Sequence, residues 1–379
     1  MFLFVILDLK DIDFVTYFQQ TFIIFTNMAE KEIFTIGLMS GTSLDGIDLV
    51  YIKFLKSKAT SFEILHTETV AYSKEWKQLL QRAIHFSSEE LLDLDRRYGK
   101  HLGNTIQHFI QHYQIKNIDF IASHGHTVLH QPQKGITLQV GSGEEIAKIT
   151  KQKVVCDFRT QDVKLGGQGA PLVPIGDELL FSEYDFCLNL GGFSNVSFRK
   201  GGERIAFDIC PVNIVLNFYA NKIDLEFDAS GEIASEGKIN TPLLEKLNAL
   251  DFYKVAAPKS LGLEWVHKEI LPLIDKHEEA VSSVLCTFVE HIAIQISKII
   301  KDSNSVLITG GGVFNSFLMH RIELHSNVKI MPSSDALINY KEALIFAFLG
   351  MLRIDNQVNC LKSVTGAHKN HSSGVVFSL

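Results

Sequence analysis

The chain is poor in the residues that build covalent frameworks. Its five cysteines, Cys156, Cys187, Cys210, Cys286 and Cys360, are odd in number, widely spaced and without a CxxC pair. That spacing argues against a disulfide scaffold and leads to no thiolate zinc site being expected, and it fits a reducing compartment. Only 8 prolines and 26 glycines occur in 379 residues, too few for a linker-rich or disordered chain. Lys and Arg total 36 against 43 Asp and Glu, a net charge of 36 − 43 = −7, and no basic cluster stands out. Neither a nucleic-acid backbone nor an anionic membrane is therefore an expected partner. No apolar run reaches the ~18 residues of a membrane span. The opening MFLFVILDLKDID lacks the basic region and cleavage site of a signal peptide. Residues 1–32 read as a lead-in, Phe-rich over 1–27, and Met28 is expected to be the true start of translation.

What is present is enough for two domains at about 150 residues each. Two β-rich runs, Ile33–Met39 and Ile47–Phe54, flank a Gly/Ser/Thr/Asp turn and predict a β-hairpin. A third strand is expected at 61–72. Ser87 and Glu90 form a capping box before a helix whose apolar positions, Leu91, Leu94, Tyr98, Leu102, Ile106 and Phe109, recur every three to four residues. A strand at 118–122, the loop SHGHT, a strand at 137–140, a helix at 143–150 and a strand at 153–157 follow. The opening pattern then returns. Strands at 186–190 and 196–199 surround a GGFSN turn, a third strand covers 205–209, and helices are expected near 213–221, 241–254 and 278–302. The strand at 305–309 ends in three glycines, with helices expected from Val313 and from Lys341. This repetition predicts an α/β fold duplicated in two domains, 33–185 and 186–355, with a C-terminal tail at 356–379.

Three small-residue segments invite a ligand. The turn Ser40-Gly41-Thr42-Ser43-Leu44-Asp45-Gly46 offers backbone N–H groups and hydroxyls of the kind a polyphosphate needs, but it is not a Walker loop. Asp45 and Asp48 are oxygen donors suited to a Mg²⁺ water shell. Leu190-Gly191-Gly192-Phe193-Ser194-Asn195 is a second such turn. Gly310-Gly311-Gly312 after a buried strand lets a flat ligand approach the backbone. Each segment alone is equally an ordinary tight turn; the pairing of two such hairpin turns is what suggests a nucleotide clamp. Asp208, at a strand end before Pro211 and Asn213, is a candidate general base or a helix cap. His124, His126 and His130 have no nearby carboxylate or thiol to complete a metal shell, so no metal is assigned to them. Glu342 fits an exposed helix face as readily as a site.

Longer runs carry a resemblance. IGLMSGTSLDGID (36–48), SHGHTVLH (123–130), DFR (157–159), GGQGAPLVP (166–174), LNLGGFSNVSF (188–198), AFD (206–208), PKSLG (258–262), GGGVFN (310–315) and VTGA (364–367) resemble, in order and spacing, the anhydro-N-acetylmuramic acid kinase family. The resemblance implies the two-domain fold of the sugar-kinase, Hsp70 and actin superfamily, with ATP in an interdomain cleft. It implies cleavage of the 1,6-anhydro bond of 1,6-anhydro-N-acetylmuramic acid with phosphorylation of O6, in cytoplasmic cell-wall recycling. ATP, the anhydro sugar and water would be the small-molecule partners, Mg²⁺ would ride on the nucleotide phosphates, and the chain would be a homodimer. It assigns Gly41, Thr42, Ser43, Leu44, Asp45, Gly46, Ile47 and Asp48 to the phosphates of ATP. Gly191 and Gly192 fall to a second phosphate loop, and Gly310, Gly311 and Gly312 to the adenosine side. Asp208 becomes the catalytic base, and Thr127 and Glu342 touch the sugar. An ordinary hexose kinase of the same fold is the alternative. Two family glycines near the base are replaced by Cys210 and Val212, and the family's HGQT reads HGHT, with His126 in place of an amide.

Overall fold

The computed structural model describes residues 31–41, 44–56, 60–277, 279–301, 303–328, 330 and 333–378. The lead-in and Met28 lie outside them, as do Thr42 and Ser43 of the first turn. Twelve strands are described: β1 (Lys31–Ser40), β2 (Gly46–Lys56), β3 (Ser61–Ala71), β4 (Phe120–Ser123), β5 (His126–Gln131), β6 (Ile136–Val140), β7 (Val154–Cys156), β8 (Phe186–Leu190), β9 (Phe193–Lys200), β10 (Glu203–Pro211), β11 (Val306–Thr309) and β12 (Val375–Phe377).

They form two main sheets. The first has the order β12-β7-β4-β1-β2-β3, the second β10-β9-β8-β11. In the first, β1 pairs antiparallel with β2, β2 antiparallel with β3, and β1 parallel with β4. In the second, β8 pairs antiparallel with β9, β9 antiparallel with β10, and β8 parallel with β11. Each sheet is thus two hairpin connections followed by one long crossover to a parallel neighbour, and the duplication expected from the sequence appears in the strand order. Parallel pairing needs such a crossover, and helices supply the cover.

The first sheet is covered on both faces. Ile36, Leu38, Ile47 and Leu49 meet Tyr98, Leu102 and Ile106 of helix Ser88–His112 on one face. Val50, Ile52 and Phe54 meet Leu344, Phe346 and Phe348 of helix Asp335–Ile354 on the other. The capping box of Ser87 and Glu90 is formed as expected. The second sheet packs on helix Val281–Ile300, whose Leu285, Val289, Ile292 and Ile296 are buried against Leu188, Val196 and Ile209. That helix is long and apolar enough to cross a membrane, but 78% of its apolar window is buried inside the protein.

Several elements depart from expectation. SHGHT is only partly a loop, because β5 starts at His126 and pairs with β6 as a separate hairpin. Its polar run HTVLHQ hid that strand. The three glycines lead into a 3-10 turn at Gly311–Phe314, and the helix begins at Ser316, where the Asn315 side chain accepts the Leu318 N–H. The last long helix starts at Asp335 rather than Lys341, because Ser334 caps it through the Leu337 N–H. Beyond it, β12 adds antiparallel to β7 at the edge of the first sheet.

Helix Asp335–Ile354 lies close on β1 because Gly37 has no side chain. A Cβ built there would stand 2.2 Å from the Ala343 carbonyl oxygen and 3.0 Å from Ala347 Cβ. Gly37→Ala should therefore overpack this contact and cost ~1–3 kcal/mol, read as a lower urea midpoint at unchanged slope.

Candidate functional site

The first turn begins where β1 ends. Ser40 Oγ donates to the Gly125 carbonyl at 2.7 Å, and Leu44 N–H donates to the Gly41 carbonyl at 3.3 Å. Leu44 holds a positive φ of 60°. Both Leu44 and Ile47 turn their side chains into the core, so only their backbone faces outward. Asp45 is exposed and Gly46 is pressed against β3, where a Cβ would meet Thr69 Cγ2 at 2.8 Å. Asp48 Oδ1 accepts from Thr69 Oγ1 at 2.7 Å. Burial, and then the charge of Asp45, push its carboxyl pKa up, while the Thr69 bond opposes the shift. His126 is buried against the Gly41 carbonyl, and burial draws its pKa down to about 4, leaving it neutral at pH 7.

The second turn and the glycine run meet. A Cβ on Gly310 would stand 2.7 Å from Asn189 Oδ1 and 2.8 Å from the Leu190 carbonyl, and one on Gly312 would stand 2.8 Å from Leu190 Cβ. Gly310 has φ +88°, open to glycine at little cost. The carbonyls of Gly191 and Gly192 accept from the N–H groups of Asn213 and Ile214 at 3.3 and 3.2 Å. The first turn of helix Asn213–Ala220 is thereby seated on the second turn. The Gly310 N–H reaches the Ile338 carbonyl at 3.1 Å, tying this cluster to helix Asp335–Ile354.

Asp208 sits on β10 beside a bulge between Asp208 and Cys210. Its Oδ2 accepts the Leu261 N–H at 2.8 Å, and its own N–H donates to the Lys259 carbonyl at 3.1 Å, so the PKSLG segment holds it in place. Oδ1 has no protein partner among the described residues. Half-burial raises the carboxyl pKa, with the Leu261 N–H pulling the other way. Neither glycine replacement takes a positive φ. Val212 lies at φ −128°, ψ −102°, and Cys210 Sγ packs 3.2 Å from Ser194 Oγ.

Glu342 is solvent-exposed, with protein atoms packed around its carboxyl group. That crowding raises its pKa; the Arg159 charge opposes the shift and the Asp48 charge adds to it. Arg159 Nε donates to His124 Nε2 at 2.9 Å and Nη1 donates to the Gly169 carbonyl at 2.6 Å. Since His124 Nδ1 lies 2.8 Å from the Gly125 carbonyl, Nδ1 carries the proton and Nε2 accepts. Burial and the Arg159 charge hold this imidazole neutral. Thr127 Oγ1, on β5, accepts from Gln139 Nε2 at 3.3 Å. The structure therefore brings Asp48, Glu342, Arg159 and the His124–His126 segment together. It joins the Gly191 turn to Gly310–Gly312. Among the described residues no hydrogen bond links Asp208 to either the first turn or Glu342. Arg159 received no role from the sequence, although it ends the DFR motif (157–159) that carries part of the family resemblance.

A charged cluster beside Glu342 joins the two sheets. Lys341 Nζ lies 2.7 Å from Asp177 Oδ1, as an ion pair rather than an aligned hydrogen bond. Ser197 Oγ donates to Asp177 Oδ2 at 2.5 Å, and Arg204 donates to Ser197 Oγ. All four side chains are buried. Burial works against the Lys341 charge, yet the carboxylate of Asp177 leaves its pKa raised. Asp177→Ala would strand Lys341, while Arg204 keeps Glu178 at 3.6 Å; the expected loss is about 3–5 kcal/mol, measured by chemical denaturation.

The family model for "Anhydro-N-acetylmuramic acid kinase" matches residues 33–379. The chain is 34% identical over 370 residues to the protein of that name from Shewanella putrefaciens, covering 92% of this chain and 99% of that one. It is 33% identical over 373 residues to its namesake from Shewanella denitrificans, covering 93% and 100%. Among solved structures it is similar to the (R)-2-hydroxyglutaryl-CoA dehydratase component A of Acidaminococcus fermentans, at 14% identity and TM-score 0.44, covering 83% of this chain and 96% of that chain. It is also similar to a ROK family glucokinase from Streptomyces griseus, at 11% identity and TM-score 0.39, covering 83% and 98%. The match along nearly the whole described chain leads to one conclusion: the chain belongs to the anhydro-N-acetylmuramic acid kinase family.

Proposed function

We propose that this chain cleaves the 1,6-anhydro ring of 1,6-anhydro-N-acetylmuramic acid with water and phosphorylates O6 from ATP. The products are N-acetylmuramic acid 6-phosphate and ADP, and the setting is peptidoglycan recycling in the cytoplasm, consistent with five free, buried cysteines. The observation that carries the reading is Asp208: a half-buried carboxylate, fixed through one oxygen, with the other free and its basicity raised.

In this mechanism Asp208 Oδ1 takes a proton from a water molecule, which attacks C1 of the sugar. The C1–O6 bond breaks, and O6 attacks the γ-phosphorus as the ADP oxygen leaves. Positioning does most of the work in such a transfer. Gly41–Asp48 and Gly191-Gly192 would face the phosphates from the two sheets, and Gly310–Gly312 would lie under the adenosine. Thr127 and Glu342 would hold the sugar. Mg²⁺, when bound with the nucleotide, neutralises phosphate charge. The free oxygen of Asp48 and the exposed carboxylate of Asp45 suit its water shell, since hard cations take oxygen ligands. A homodimer belongs to the same reading.

Asp208→Asn should retain ATP binding by calorimetry while turnover falls about 10²–10⁴-fold. Because the base works deprotonated and burial raises its pKa, kcat/KM should fall on acidification with a midpoint above the ordinary aspartate value of 3.8. Near wild-type turnover in Asp208→Asn would remove the residue from the chemistry. In heavy-oxygen water the label should appear at C1 of the product. Product without label would instead indicate plain phosphoryl transfer to an open sugar.

A further inference from the structure

A cluster near Arg159 is built like a metal site. Asp162 lies on the short helix Thr160–Lys164, while Cys360 and His371 face each other across an isolated antiparallel bridge. The Cys360 and His371 N–H groups donate to each other's carbonyls at 3.1 and 3.2 Å. Directly opposed residues in such a pair put their side chains on one face. Donor atoms of Asp162, Cys360 and His371 all lie within 4.8 Å of one another, and all three residues are buried.

The hydrogen bonding around His371 is unbalanced. Its Nδ1 lies 3.1 Å from the Lys369 carbonyl, so Nδ1 carries the proton. Nε2 then presents a bare lone pair, 3.5 Å from Asp162 Oδ1, and it is buried without a hydrogen-bond partner. Oδ1 also accepts from Thr365 Oγ1 at 2.8 Å, and Oδ2 accepts the Gly169 N–H at 2.7 Å, so no donor remains for the imidazole. The neighbouring hydroxyls of Ser372 and Ser373 are buried and unpartnered as well. Lone pair facing lone pair in a buried site calls for something positive between them.

We propose that Asp162, Cys360 and His371 bind a divalent transition-metal ion, with zinc the best match. A thiolate, an imidazole and a carboxylate form the mixed donor set zinc accepts. With ligand bonds near 2.0–2.1 Å, tetrahedral nitrogen and oxygen neighbours stand about 3.3 Å apart, close to the 3.5 Å found here. Carboxylate and thiolate together cancel the charge of the ion, which a buried site requires. Water completes the shell. The ion clamps the C-terminal segment onto the helix that precedes the Gly166–Gly169 loop, and thereby supports the Gly169 carbonyl on which Arg159 rests. The absence of paired cysteines does not bear on this site, whose donors lie nearly 200 positions apart (162 against 360) in the sequence.

The test is metal analysis of the full-length chain, purified from zinc-supplemented cells and passed through gel filtration, alongside Cys360→Ser and His371→Ala. One zinc per chain is expected in the wild type and background levels in both variants. A strong chelator should lower the wild-type melting temperature, and added zinc should restore it. It should leave the melting temperature of Cys360→Ser unchanged. Cobalt added to the metal-free chain should give a thiolate-to-metal absorption band that Cys360→Ser lacks. Metal-free wild-type protein whose melting ignores both zinc and chelator would overturn the proposal, as would zinc retained in full by Cys360→Ser. If one variant fails to fold, the chelator and cobalt measurements on the wild type still decide the matter.

Discussion

The buried pair of Lys341 and Asp177 is the constraint on which the arrangement turns. Lys341 belongs to the helix that covers the first sheet, while Ser197 and Arg204, which complete the cluster, stand on β9 and β10 of the second. A buried ion pair seldom adds net stability over an apolar contact of the same shape, because desolvation consumes most of the attraction. What it does supply is a demand for one geometry, since an unpaired buried ammonium or carboxylate costs several kcal/mol. Sliding one sheet over the other would break the cluster, and that cost fixes their register. Glu342 follows immediately. Successive helical residues point about 100° apart, so a helix that buries Lys341 in the seam must turn Glu342 away from it, toward the charges of Arg159 and Asp48.

The two sheets repeat one strand order but use their first turns differently. In the first sheet the turn after β1 leans on His124, Gly125 and His126, through the Ser40 hydroxyl and the buried His126 ring. In the second, the turn after β8 is seated under a helix N-terminus and against Gly310–Gly312. One duplicated hairpin has thereby acquired two different neighbours. The difference is local chemistry, an imidazole and a hydroxyl on one side and bare backbone on the other, while the β-β-β-crossover frame stays common.

That frame was legible because it rests on short-range signals. β1, β2 and β8 are dense in β-branched and apolar residues, and the Ser87–Glu90 box announces its helix. The elements that were missed lacked such a signal. β5 is held by pairing with β6 alone and carries polar residues through its length, so no alternation reveals it. The Ser334 cap was obscured by a start assigned seven residues later, at Lys341. The site was legible only in part. Turn composition and the family's motifs pointed to Gly41–Asp48, Gly191-Gly192 and Asp208, but composition cannot show that Gly310 touches Leu190. Arg159 and the Asp162–Cys360–His371 cluster depend on contacts across long stretches of chain, which no local pattern encodes.

A single carboxylate acting on the water is physically reasonable for this chemistry. Enzymes that hydrolyse glycosidic bonds use a pair of carboxyl groups, one to activate water or attack and one to protonate the leaving oxygen. Here no second carboxylate figures among the charges that shift Asp208, whose perturbation comes from burial and from the Leu261 N–H alone. A second acid is unnecessary if the leaving oxygen is captured by phosphorus instead of by a proton. O6 departs from C1 with growing negative charge and bonds to the γ-phosphorus, so phosphoryl transfer does what an acid would otherwise do. The same coupling explains why Asp208 benefits from a raised pKa. With no acid assisting departure, bond breaking depends more on the push from the attacking water, and a more basic carboxylate strengthens that push.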